Sequence, residues 1–130
     1  MKKSAIRREH RAIRRALRAT LRRRCASTRL TASCHRRPRS LATVAIAAGV
    51  EKTAATGVAN GLRSVAARLD LTPALRTTTR RTVAGGRARQ TRTVSRYTLA
   101  QVGTLLGSYK PRKPEYVRAV ALIAAFATAA

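Results

Sequence analysis

The chain has 130 residues and a net charge of +25, with 29 Lys and Arg set against Glu9, Glu51, Asp70 and Glu115 alone. Such a length holds one small domain plus arms, and charge repulsion on this scale calls for a polyanion, which makes nucleic acid the first partner to consider. Three tyrosines, one phenylalanine and no tryptophan are too few for a surface that stacks single-stranded RNA. Four scattered acids likewise provide no paired-carboxylate site, so the chain is not read as an enzyme.

Residues 1–39 form a basic arm, helical in part or disordered. From Ser4 to Arg24 a helical period puts Ile6, Ile13, Leu17 and Leu21 on one narrow stripe. Arg7, Arg8, Arg11, Arg14, Arg15, Arg18 and Arg22 fill the remaining circumference as backbone-contacting residues. Like charges at i, i+4 weaken an isolated helix, so the arm should firm up when phosphates neutralise it. The same pattern suits a mitochondrial transit peptide, which would make the protein organellar, or a helix lying on an anionic membrane. Cys25 to Ser40 has no clear period and reads as a linker, with Pro38 and Ser40 announcing the next helix. The spacing Cys25-x8-Cys34-His35 lacks the two close pairs that zinc prefers. The cysteines therefore read as free thiols, and neither a metal nor a cofactor is expected.

Residues 40–75 carry the core, and their centre is S-L-A-T-V-A-I-A-A-G-V-E-K-T-A-A-T-G-V-A-N-G from Ser40 to Gly61. Leu41, Val44, Ala45 and Ala48 share one helical face. Gly49 can adopt the positive φ of a helix C-terminus, Val50 plugs the turn, and Ala54, Ala55 and Val58 line a second short helix. Two helices joined in this way form a helix-turn-helix, whose second helix enters the major groove. Leu62, Val65, Ala66 and Leu69 predict a separate third helix ending near Thr72-Pro73.

Over residues 40–61 the chain resembles the DNA-reading unit of the LacI-type repressors. The matching positions are Ser40, Leu41, Val44, Ala45, Ala48, Gly49, Val50, Val58, Asn60 and Gly61. The sequence departs from that pattern at Glu51, which stands where the family opens its second helix with Ser, and at Ala54-Ala55-Thr56. The resemblance implies a recognition helix starting at Glu51, with Lys52, Thr53, Thr56 and Asn60 facing base edges. The unit is not N-terminal and no sugar-binding domain follows it, so the family's ligand response does not carry over.

Residues 76–97 are rich in Thr, Val and Arg around Gly85-Gly86 and predict a hairpin near 77–97. Arg80, Arg81, Arg87, Arg89, Arg92 and Arg96 would line it as the backbone-gripping wing of a winged helix, with residues 86–89 able to act instead as a minor-groove arm. Residues 98–130 form a helical segment. Thr98–Gly107 echoes Ser40–Gly49, which reads as a shared helix-start pattern because Pro111 and Pro114 exclude a matching second helix directly after it. A terminal helix from Glu115 to Ala127 should bury Tyr116, Val117, Val120, Ile123 and Ala124, and its apolar run is too short for the ~20 residues of a membrane span.

The expected fold is thus mainly α: a helix-turn-helix core with a hairpin that would make it winged, and a basic N-terminal helical arm. The expected function is duplex DNA binding by phosphate neutralisation with weak major-groove readout, as a transcriptional regulator or an accessory factor of the nucleoid or a mobile element. Such a protein would sit in the cytoplasm on the nucleoid, as a monomer or a homodimer. Two other classes share the composition: an RNA-binding or ribosome-associated protein, and a packaging protein that does not read sequence. A shifted reading frame in a GC-rich genome would share the Arg and Ala bias too, but not the periodic segment at 40–61.

Overall fold

The computed structural model describes residues 3–82, 86 and 89–129. In chain order it contains α1 (Lys3–Arg36), α2 (Leu41–Ala47), α3 (Lys52–Arg68), β1 (Leu75–Thr82), β2 (Arg89–Arg96), α4 (Leu99–Ser108) and α5 (Pro114–Thr128). The fold is mainly helical with one two-stranded antiparallel sheet. Two compact units divide the chain, Met1–Ala32 and Ser33–Ala130.

The first unit is the long helix α1 up to Ala32. Residues 25–36, expected to be a linker, continue the helix. No Gly or Pro interrupts the stretch, and Thr28 within it, like Thr20 before it, is accommodated by bonding backwards. The hydroxyls of Thr20 and Thr28 donate to the carbonyls of Ala16 and Arg24 at 3.1 and 3.0 Å, which satisfies a side chain that would otherwise compete for the backbone. Pro38 then ends the run, since the residue before a proline is driven out of the helical region.

The second unit holds the core. Ser40 caps α2, its hydroxyl accepting from the Thr43 amide at 3.3 Å. At the far end Gly49 takes φ +95°. The Val50 amide reaches back to the Ala45 carbonyl at 3.1 Å, and the Gly49 amide to that of Ile46 at 3.0 Å. This is a Schellman turn, and its hydrophobic lock is Val50, which is buried.

The helix that follows differs from expectation. The predicted second and third helices are one, α3, running unbroken from Lys52 to Arg68 across Asn60-Gly61. Gly61 ends nothing; it makes room. A Cβ there would lie 2.6 Å from the Tyr109 ring and hydroxyl, and one at Gly57 would overlap the Tyr116 ring. The two glycines, one turn apart, let tyrosines from outside α3 lie against its backbone. A second Schellman turn closes α3, with Asp70 at φ +52° and the Leu71 amide bonded to the Ala66 carbonyl at 3.0 Å.

The strands β1 and β2 pair from Leu75↔Arg96 to Thr82↔Arg89, a register centred in sequence on Gly85-Gly86 as predicted. Gly86 has φ +71°, whereas Gly85 and Arg87 lie outside the described residues. Just past β2, Arg39 and Tyr97 exchange both backbone hydrogen bonds, at 3.1 and 2.9 Å. Each of them directly precedes an N-cap, Ser40 for α2 and Thr98 for α4, and Thr98 with Gln101 completes a capping box. The echo between 40–49 and 98–107 is thus a shared helix start in three dimensions too. It also goes further, because α4 is followed by a matching helix after all. Pro114 occupies the first turn of α5, where a missing amide does no harm. Buried Val58 and Leu62 on α3 recur as Ala119 and Ile123 on α5, 61 residues on, three more than the 58 that separate Ser40 from Thr98.

The buried face of α5 is rotated from the expected one. Ala119 and Ile123 are buried, with Tyr116 and Phe126 packed against the core, while Val117 is 50% exposed. The core itself is built mainly on α3 (Val58, Leu62), α2 (Leu41, Val44), α4 (Val102, Leu105) and α5 (Ile123). Cys34, from the last turn of α1, belongs to it as well.

Candidate nucleic-acid interface

The period of α3 divides it cleanly. Its buried residues are Ala55, Val58, Ala59, Leu62, Val65 and Ala66. The complementary sector carries Lys52, Thr53, Thr56 and Asn60, all exposed. The four residues named from sequence are therefore brought onto a single face of a single helix. Because α3 does not stop at Gly61, that face continues through Arg63 and Ser64, both exposed. Sequence reasoning missed these two; the spacing Asn60 to Arg63 would have revealed them had the helix been carried across the glycine.

Hydrogen bonding sets what this face can offer. The Thr56 hydroxyl donates to the Lys52 carbonyl at 3.0 Å, leaving its lone pairs free to accept. Arg63 donates to the Asn60 side-chain oxygen at 2.6 Å, so the Asn60 amide presents its NH2 group outward and holds Arg63 beside it. Ser64 is bonded to the Asn60 carbonyl at 3.2 Å.

The hairpin adjoins this helix. Arg63 lines a cleft of about 180 Å³ together with Arg92, Thr93, Val94 and Ser95 of β2, which brings two guanidinium-bearing side chains to one opening. Directly opposed residues share a sheet face, so the pair Thr79↔Arg92 lies on one face and Arg80↔Thr91 on the other. Arg80 and Arg92 thus point to opposite sides. Arg96 shares the Arg92 face and donates to the Thr77 hydroxyl at 2.9 Å. Arg81 and Arg89 sit in the strands, paired with Gln90 and Thr82. Arg7, Arg8, Arg11, Arg14, Arg15, Arg18 and Arg22 are all exposed on α1 within the first unit.

Glu51 and Glu115 lie off the polar face of α3. Glu51 turns toward α5 and lines a separate cleft with Glu115, Arg118 and Leu122. The cysteines divide by environment: Cys25 is exposed, and Cys34 is buried. Burial pushes the Cys34 thiol up, opposed in part by the nearby Arg39 charge, which keeps the sulfur protonated and unreactive at neutral pH. Among the described residues no three His, Cys, Asp or Glu side chains converge to hold a metal ion.

No protein-family model, curated protein or solved structure matches the chain. The chemistry of the surface must speak for itself. It offers a polar helix face with one ammonium, three hydroxyls, an amide and a guanidinium, adjoined by a second guanidinium from the hairpin. That set can donate to phosphate oxygens and to base edges.

Proposed function

We propose that this protein binds duplex DNA through the exposed face of α3, with the basic hairpin and the arginines of α1 gripping phosphates. The observation that carries the reading is the segregation on α3: every side chain of its outward sector from Lys52 to Ser64 is polar or cationic, and the adjoining cleft adds Arg92. In this reading α2, the Gly49 turn and α3 act as a helix-turn-helix with α3 in the major groove, and β1–β2 serve as its wing. The likeness of residues 40–61 to the LacI-type unit supports it. The unbroken length of α3 marks a departure from that pattern. Base readout is modest, because few groups reach outward and Asn60 must release Arg63 before both ends of its amide can pair with an adenine edge. Such a protein acts on the chromosome or a mobile element, in the cytoplasm.

The test compares Lys52→Ala and Thr56→Ala with the parent in competition between a selected DNA site and random duplex. Both positions are exposed, so stability should stay within ~0.5 kcal/mol while the preference for the selected site falls. Unchanged competition by both variants removes α3 from the DNA. Tighter binding to structured RNA than to duplex DNA at matched salt assigns the protein to RNA instead.

A further inference from the structure

We propose that α1 seats the protein on an anionic lipid surface through a stripe of aliphatic side chains that DNA binding leaves unused. Ile6, Ile13, Leu17 and Leu21 are 40, 52, 60 and 58% exposed. At the helical period they fall on one line from Ile6 to Leu21, about 22 Å of helix, and Arg24 closes the line one turn beyond Leu21. Between Lys3 and Ala32 the helix carries eleven Lys and Arg residues against a single acid, Glu9. Arg7, Arg14 and Arg18 border the stripe, and their long stems can lie along apolar surface while the guanidinium heads stay in the polar layer.

Three occupants compete for this face, and charge and area select among them. Duplex DNA would neutralise the arginines but leave four large aliphatic side chains in water. A second copy of the chain would bring an equally positive helix against this one. Four half-exposed side chains also cover only a few hundred Å², short of the roughly 800 Å² per partner of a stable interface. An anionic bilayer meets both demands at once. The stripe enters the boundary between headgroups and acyl chains, and the flanking guanidinium groups meet lipid phosphates. The helix is too polar to go deeper: none of the described helices is long and apolar enough to cross a membrane. It lies on the surface.

The experiment uses the full chain, vesicles of phosphatidylcholine alone or mixed with phosphatidylglycerol, and the double variant Ile13→Gln/Leu17→Gln. Glutamine keeps helix propensity and charge while removing the aliphatic surface. The parent should co-sediment with the mixed vesicles and not with phosphatidylcholine alone. The double variant should lose at least tenfold in vesicle affinity and bind duplex DNA like the parent. Retained DNA binding shows that the variant is folded and keeps this inference separate from the proposal for α3. Failure of the parent to bind the mixed vesicles overturns the inference, as does equal binding to both lipids. A variant that still binds the mixed vesicles shows adsorption by charge alone. A variant that loses DNA binding to the same extent shows that the stripe serves the fold or the DNA. A parent dimer that the variant cannot form assigns the stripe to a second copy.

Discussion

At Gly49 and Gly61 the absence of a side chain serves two different physical ends. Around Gly49 nothing lies within 4 Å of where a Cβ would stand, and its φ is +95°. Only conformation, not space, requires glycine there. Gly49→Val should therefore destabilise the protein by about 1–3 kcal/mol through backbone strain, a large share of the ~5–15 kcal/mol that holds a small domain together. A urea or thermal melt reads this directly, and a melt like the parent's would mean that the turn after α2 is not left-handed in solution. Gly61 has ordinary helical geometry, and its need is for space, since Tyr109 occupies the place of a side chain. From sequence the two glycines look alike, each following an apolar helical run.

At the scale of elements, the informative case is α1, which belongs to both units. Its last turn delivers Cys34 to the core, and the chain beyond it delivers Arg39 to the bridge with Tyr97. Removing residues 1–32 should leave the melt of the remainder unchanged within ~0.5 kcal/mol. Removing 1–39 also deletes a buried side chain and two backbone hydrogen bonds. At ~0.5–1.5 kcal/mol per hydrogen bond, plus the burial of a small apolar group, the further loss should be on the order of 2–4 kcal/mol. Equal melts for the two truncations would show that the core does not need the end of α1. The hairpin carries its own constraint: its register separates Arg80 from Arg92, so only one of these arginines can share the Arg63 cleft.

For the whole molecule, +25 charges on 130 residues mean that the proposed binding to nucleic acid would be chiefly a matter of counterion release. If about eight phosphates are engaged, affinity for duplex DNA should fall by ~10³–10⁵ between 50 and 200 mM salt. A salt titration that came out nearly flat would exclude phosphate neutralisation as the main source of affinity. Vesicle binding through α1 should fall less steeply with salt, because only its guanidinium–phosphate part is screened and the apolar contact is not.

Local physics determined a good deal of this protein from its sequence alone. Ser40 as a cap, Gly49 as a turn, the hairpin centred on Gly85-Gly86 and the outward placement of Lys52, Thr53, Thr56 and Asn60 all follow from neighbours a few residues apart. Helical period and capping chemistry act over that range. What tertiary structure decided were matters of partnership. Whether α3 stops at Gly61 depended on tyrosines some fifty residues downstream, which use the bare glycine backbone as a surface. Which face of α5 turns inward depended on how it meets α3, and so Val117 is outside although its spacing suited the core. Where the arm ends depended on Cys34 finding a place among α2–α5. An interval along the chain records the angle between two side chains on one helix; it does not record which distant side chain will fill the space between helices.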